Sequence, residues 1–326
     1  MIISWNTTQA CNINCRHCYR DAGEQRPDEL TTAEGKRLLD EIAAAGFKIV
    51  ILSGGEPLLR GDIFELISHA RSSGLRPVLG TNGTLIDQET ACRLKAAGLA
   101  RAGISIDSCQ REAHDWFRGS LGTWDSAMQG IQACREVGLP FQIHTTVMDW
   151  NQAEITAVTD LAIQLGAVAH HIFFLVPVGR GQTIEQFTLR TAEYEALLAE
   201  ILDKQLTAPI EIKPTCAPQF MRVARQKGVN LRFSRGCLAG TSYCVILPQG
   251  DVQPCPYLPL KAGNVREIPF TKIWREAEIF HTLRTGDLGG RCGACEYTKI
   301  CGGCRARAYY YSDGDFMSEE PWCTMG

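Results

Sequence analysis

The chain has 326 residues, of which 45% are hydrophobic and 21% charged, with a formal net charge of −3. That is enough apolar content for a sizeable core, and there is no charge excess for bulk attraction to nucleic acid. Met1 to Trp5 shows no basic region leading into an apolar stretch, and no run of about 18 apolar residues follows, so neither secretion nor a membrane span is expected and a cytoplasmic location is. The fifteen cysteines are odd in number, and many are separated by only two or three residues, which suits metal ligation better than a disulfide framework.

Hydrophobic periodicity predicts strands over Ile2 to Thr7, Phe47 to Leu52, Arg76 to Thr81, Ala102 to Asp107, Phe141 to Val147 and His170 to Val176. Helices are expected to begin near Thr32, Asp62, Asp87, Thr123, Asn151 and Thr191. Thr31 stands three residues before Glu34, a capping-box spacing, and Asp62 and Asp87 are candidates to satisfy first-turn amides. Gly46, Gly74, Gly98, Gly138 and Gly166 close the helices ahead of the next strands. Six β/α units in succession predict an α/β fold with a parallel, barrel-type sheet. From about Lys213 the periodicity weakens, Gly, Pro and Cys become dense, and eight of the fifteen cysteines lie between Cys237 and Cys323. The expected organisation is a barrel over 1–212 and a cysteine-rich extension over 213–326, whose weak apolar pattern calls for metal crosslinks.

Cys11, Cys15 and Cys18 form CxxxCxxC directly after the first strand, at the end where α/β barrels carry their chemistry. Three thiolates can hold three irons of a 4Fe-4S cubane and leave the fourth open, a catalytic arrangement. The alternative is a zinc knuckle completed by His17. At the end of strand two stands Ser53-Gly54-Gly55-Glu56-Pro57, whose glycines allow close backbone approach and whose carboxylate can pair with an ammonium group.

CxxxCxxC together with GGEP resembles the radical S-adenosylmethionine (SAM) superfamily, whose partial (β/α)6 TIM-like barrel agrees with the six units. The resemblance implies that SAM chelates the open iron and that backbone and carboxylate groups of Gly54, Gly55 and Glu56 hold its amino group. Tyr19 and His17 either border the adenine or pack in the loop. Asn82, Ser105, Asp107 and Thr146 stand at strand ends, with Ser105 the preferred ribose contact and Asn82 either a contact or a structural cap. The stretch from His114 to Gly119 resembles one in relatives where the arginine faces the SAM carboxylate, which assigns that role to Arg118.

The extension resembles the SPASM domain, with two auxiliary 4Fe-4S clusters and therefore three in all. The pattern assigns Cys237, Cys244, Cys255 and Cys304 to auxiliary cluster one, and Cys292, Cys295, Cys301 and Cys323 to auxiliary cluster two. Cys301 and Cys304 enclose only two glycines where the pattern usually has three residues, and Cys244 is the least secure ligand. Cys216, at the junction, is a candidate catalytic hydrogen donor, a ligand or a packed thiol. Cys92, Cys109 and Cys134 are expected to be buried thiols.

Stretches such as His171 to Gly181, Thr215 to Pro218 and Cys301 to Arg307 resemble the group of heme b synthase, which decarboxylates two propionates of iron-coproporphyrin III. Heme d1 proteins and a maturase of tungsten-containing aldehyde ferredoxin oxidoreductases are similar. The implied function is radical SAM chemistry in redox-cofactor maturation under anaerobic conditions. It acts on a tetrapyrrole or tungsten-pterin substrate, free or on a client protein, with a ferredoxin or flavodoxin-type electron donor. Arg180, Arg235, Arg305 and Arg307 are candidates for propionates, and His170 or His171 for a heme iron. The first ligand at Cys11 leaves little leader, which favours the tungsten reading. A peptide-modifying maturase is the nearer alternative, and a non-catalytic electron-transfer or zinc protein the remote one.

Overall fold

The computed structural model describes residues 1–231 and 235–325. Seven strands follow one another in parallel: β1 (Ile2–Thr8), β2 (Ile49–Gly54), β3 (Arg76–Thr81), β4 (Arg101–Ser105), β5 (Phe141–Val147), β6 (Ala169–Phe174) and β7 (Glu211–Thr215). The crossovers carry α1 (Thr32–Ala44), α2 (Ile63–Ser72), α3 (Gln88–Ala96), α4 (Arg111–Arg118), α5 (Thr123–Val137), α6 (Ile155–Leu165) and α7 (Thr191–Thr207). The sheet has free edges and wraps as a partial barrel. Alternation sorts each strand: Ile3, Trp5, Val50, Leu52, Leu79, Ile104 and Ile143 enter the core beneath the helices, and their neighbours Ser4, Asn6, Ser53, Ser105, Gln142 and His144 take the other face.

Past β7 the chain returns to the opposite edge. β8 (Tyr243–Ile246) pairs in parallel with β1, Ile2 opposite Tyr243 and Trp5 opposite Ile246. β9 (Asp251–Gln253) and β10 (Gly263–Asn264) extend the sheet antiparallel, giving the order β10-β9-β8-β1-β2-β3-β4-β5-β6-β7. The expected division at 212/213 falls inside β7, and both halves share one sheet. A second core joins α7 to the chain's end, where Tyr194 meets Trp322 edge-on.

The capping box at Thr31 is present in both directions, and Asp87 accepts from Thr90 N at 2.7 Å. Asp62 differs from expectation: its oxygens take Arg60 and the Thr32 hydroxyl instead of first-turn amides. Asn151 precedes a 3-10 turn over Gln152–Glu154 that runs into α6 at Ile155, and its side chain ties Met148 N to the carbonyls of Asp107 and Thr146. The five closing glycines all have positive φ, where a side chain is strained.

Gly35, inside α1, exposes backbone to the indole of Trp5. A Cβ there would lie 2.5 Å from the ring and 3.1 Å from Leu66. Alanine gains about 1 kcal/mol in helix propensity, yet overpacking of a tight core costs about 1–3 kcal/mol. Gly35→Ala should therefore destabilise the protein, read as a lower urea midpoint at unchanged slope.

Candidate active site and metal centres

The loop leaving β1 carries Cys11, Cys15 and Cys18 and is clamped on three sides. On the β2 side Gly55 N donates to Thr8 O at 2.8 Å and Glu56 N to Ala10 O at 2.7 Å. A Cβ on Gly55 would stand 2.1 Å from Ala10 O, so only glycine permits this approach. At the end of α4, Arg16 N donates to Phe117 O at 3.0 Å, and His17 stacks on Phe117 with centroids 4.1 Å apart. Third, Arg180 donates from its backbone to Cys18 O at 3.0 Å and from Nε to Cys15 O at 2.9 Å.

Burial pushes the Cys11 thiol up to about 11, and the charges of Glu56, Cys15 and Cys18 add to the rise. Burial likewise raises Cys15 against the opposing charge of Arg118, whose Nη1 lies 3.8 Å from its sulfur. Arg118 is fixed by Asp107, Nε to Oδ2 at 2.6 Å, and Asp107 also accepts from Thr146 N at 2.8 Å. Burial pulls the Asp107 carboxyl upward, but the neighbouring charges of Arg118, His17 and His114 hold it below the usual carboxylate range. The result is a positive group held against a set of thiols whose ionisation is otherwise opposed.

Glu56 is wholly buried. Its carboxylate accepts from Thr81 Oγ1 at 2.9 Å, Asn82 N at 2.9 Å and Leu58 N at 3.1 Å, bracing the ends of β2 and β3. Burial pushes it up to about 7 against those hydrogen bonds. Because its oxygens have these partners, the backbone of Gly54 to Glu56 is the better-placed part of the loop to meet an ammonium group. Asn82 donates to Asn12 Oδ1 at 2.9 Å and accepts from Thr84, which is the capping arrangement. Ser105 Oγ reaches Thr81 O at 3.3 Å, and the Tyr19 hydroxyl reaches Asn6 Oδ1 at 3.2 Å.

In the extension, Cys216, Cys237, Cys255 and Cys304 act electrostatically on one another. Cys244 is not among them. It lies opposite Ile3, fully buried in the core under the helices, and among the described residues Arg284 is the charge that acts on its thiol. Alternation along β8 turns its side chain to the face opposite Tyr243, which corrects the expected quartet. Cys216 follows β7 with φ +60°, a conformation uncommon outside glycine that is held where surroundings enforce it. Its carbonyl accepts from Arg307 Nη1 at 2.6 Å.

Cys292, Cys295, Cys301 and Cys323 line one cavity of about 370 Å³. Backbone amides already face two of the sulfurs, Glu320 N at 3.3 Å from Cys292 and Tyr297 N at 3.4 Å from Cys295. Among the described residues no three His, Cys, Asp or Glu side chains converge as a single metal ion requires. A zinc ion would draw its thiolates to within about 4 Å of one another, whereas a multi-iron cage spreads them. The donor sets, three and four thiols with amide and arginine donors around them, fit iron–sulfur clusters.

Several expected substrate groups have other work. Arg180 binds the cysteine loop. Arg307 is fully buried, paired with Glu320 at 2.8 Å and stacked over Trp322. Arg305 holds the carbonyls of Phe316 and Ser318. Arg235 keeps a buried Nε without an acceptor among the described residues. Both ring nitrogens of His170 are bonded to threonines, Thr159 and Thr145, so it is not free to ligate iron, whereas His171 meets Gln142 through Nδ1 and its buried Nε2, 3.6 Å from Glu211, has no hydrogen-bond partner among the described residues. Cys92 is exposed on α3, against the expected burial, and Cys134 is buried.

The radical SAM superfamily model matches residues 5–162, and the SPASM iron–sulfur cluster-binding domain matches 237–305. An AdoMet-dependent heme synthase of Methanosarcina barkeri (strain Fusaro) is 46% identical, covering 99% of this chain and 95% of its own. The chain belongs to the radical SAM superfamily. It is an enzyme of the SPASM-bearing branch, related to heme synthases, and its domains imply 4Fe-4S clusters and SAM. An Fe-coproporphyrin III synthase of the same organism is 31% identical over 99% of this chain and 88% of its own. The structure of Streptococcus suis SuiB bound to S-adenosylmethionine shares the fold, with a TM-score of 0.81 at 18% identity over 99% of this chain and 77% of that one.

Two measurements follow for this radical SAM protein. Cys216→Ser should lower bound iron and alter the auxiliary-cluster EPR signals, while Cys244→Ser should leave iron content at the wild-type level; the reverse pattern would restore Cys244 as ligand. Burial pushes the Glu56 carboxyl from its ordinary 4.5 up to about 7 in the folded state. The folded state therefore binds more protons between those values, and stability falls as pH rises from 4.5 to about 7. Glu56→Gln should remove that slope, visible as a stability difference from wild type that changes across this window and is constant above it.

Proposed function

We propose that this protein is a three-cluster radical SAM enzyme of tetrapyrrole maturation that converts propionate side chains of iron-coproporphyrin III to vinyls with release of carbon dioxide. The observation that carries the reading is the 46% identity with a heme synthase along nearly the whole chain, against 31% for the Fe-coproporphyrin III synthase. The geometry supports it: a three-thiol loop and a four-thiol set stand on either side of Tyr19, whose phenol feels the charges of both Cys18 and Cys255.

In this reading Cys11, Cys15 and Cys18 hold the SAM-binding cluster, and Gly54 to Glu56, Ser105 and Arg118 border the SAM. Cys216, Cys237, Cys255 and Cys304 hold the first auxiliary cluster; Cys292, Cys295, Cys301 and Cys323 hold the second. Bound there, the SAM cluster and its cosubstrate supply a 5'-deoxyadenosyl radical that removes hydrogen from an unactivated carbon, given an electron from a ferredoxin or flavodoxin-type donor. Arg118 and Asp107 keep a fixed positive charge at the cysteine loop, so the local electrostatics need no reorganisation during turnover. The residues for substrate carboxylates are Arg20 and Arg235, whose buried Nε groups have no acceptor among the described residues; such charge-assisted bonds are worth about 1.5–3 kcal/mol each.

Anaerobic incubation of the reconstituted enzyme with iron-coproporphyrin III, SAM and dithionite should give 5'-deoxyadenosine and a tetrapyrrole lighter by two carboxyl groups. 5'-Deoxyadenosine without that mass change would reject the tetrapyrrole and turn the assignment to a tungsten-pterin or peptide substrate. Absence of SAM cleavage would reject the catalytic assignment altogether.

A further inference from the structure

Two of the thiol sites meet through a pair of tyrosine rings. Tyr19 is covalently next to Cys18 of the first loop, and Tyr257 lies two residues after Cys255 of the second set. Their centroids are 5.2 Å apart with planes tilted by 60°, a normal edge-type aromatic contact. The Tyr19 ring is fixed at its far end by the bond from its hydroxyl to Asn6 Oδ1, and Asn6 is wholly buried on β1. A third phenol, Tyr243, is pinned to Ser4 at 2.8 Å and acts on Tyr257 from β8. No described residue hydrogen-bonds the Tyr257 hydroxyl. A phenol that is to become a radical needs a base for its proton, and Tyr257 has none. What the pair does offer is a continuous path of bonded and packed atoms from Cys18 to Cys255.

We infer that Tyr19 and Tyr257 form the electron bridge between the SAM-binding site and the first auxiliary site, and that they act through their rings rather than their hydroxyls. The inference rests on the functional reading above. In that reading an electron cleaves SAM to methionine and the deoxyadenosyl radical, which takes one hydrogen atom from the propionate. The resulting carbon radical loses carbon dioxide and one electron to become a vinyl group. That electron is accepted at the neighbouring auxiliary site, and the bridge returns it to the SAM-binding site, so that SAM and propionate give methionine, 5'-deoxyadenosine, vinyl and carbon dioxide with no net redox change. The external donor then primes the enzyme instead of supplying every turnover.

The test uses reconstituted enzyme given one electron per protein by a photoreduced deazaflavin, with freeze-quench EPR following how that electron distributes between the signals of the two clusters. Wild type, Tyr19→Phe and Tyr257→Phe should equilibrate alike, because the ring is retained. Tyr19→Leu and Tyr257→Leu should equilibrate severalfold more slowly at unchanged iron content. Tyr257→Met, whose flexible side chain fills the gap, replaces the leucine variant if that one binds less iron. Product formed per electron supplied should exceed one in wild type and fall toward one in the ring-less variants. Equal EPR rates in wild type and ring-less variants would overturn the bridge, and slow equilibration in the phenylalanine variants would overturn the ring as its working part. Loss of SAM cleavage in wild type with excess dithionite would instead count against the functional reading, and the EPR comparison would still decide the bridge.

Discussion

The backbone contact between the end of β1 and the Gly54-Gly55 turn governs the catalytic centre. Amides of Gly55 and Glu56 donate to carbonyls of Thr8 and Ala10 across a gap with no room for a Cβ. A loop holding three thiols has little regular structure of its own, so its shape must come from what it touches. The glycine contact supplies one wall, the end of α4 a second, and Arg180 a third. Glu56 then ties the same turn to β3 through Thr81 and Asn82. A shift of β2 against β1 would move the thiols, the ammonium-binding backbone and the Glu56 brace together.

Electrostatics gives this scaffold its direction. Reactive cysteines are made nucleophilic by depressed pKa values, whereas burial here raises Cys11, Cys15, Cys216, Cys255, Cys301 and Cys304. Clustered thiols that resist ionisation alone are stabilised as thiolates by a bound cationic metal centre. Two of the positive groups beside them are fixed by buried carboxylates: Arg118 is held by Asp107, and Arg307 by Glu320, whose backbone and carboxylate also meet Cys292 and Cys304. Removing one partner of such a buried pair costs about 3–5 kcal/mol, which ties the ligand positions to the stability of the surrounding fold.

Much of this was legible in the sequence. The six β/α units, their closing glycines and the boundaries of β3 and β5 follow from periodicity, and CxxxCxxC with GGEP marks the catalytic loop. What periodicity could not carry is long-range pairing. β8 is only four residues long, and nothing local announces that it joins β1; without that register Cys244 looks like a ligand, and with it the residue turns into the core. Cys216 was ambiguous for the converse reason, since its place depends on β7 and on Arg307 from far along the chain. Arginines in glycine-rich loops suggested substrate binding, yet backbone carbonyls, joined for Arg307 by the Glu320 carboxylate, claim three of the four, and only contacts could reveal that.

The pairing of β8 with β1 also decides how the two halves can move. Parallel register from Ile2 to Trp5 makes the β8 to β10 part of the extension a continuation of the barrel sheet, so Cys255, just past β9, is carried on that sheet. Cys255 follows β9, which pairs with β8, and Cys18 follows β1. The distance from one thiol site to the other is therefore set by neighbouring strands of one sheet, with Tyr19 and Tyr257 packed in the gap. Rigid spacing of this kind is what an electron path needs, because tunnelling falls steeply with every added ångström. Substrate entry then has to be accommodated by the loops around the sheet ends, and the sheet itself keeps the redox sites in register.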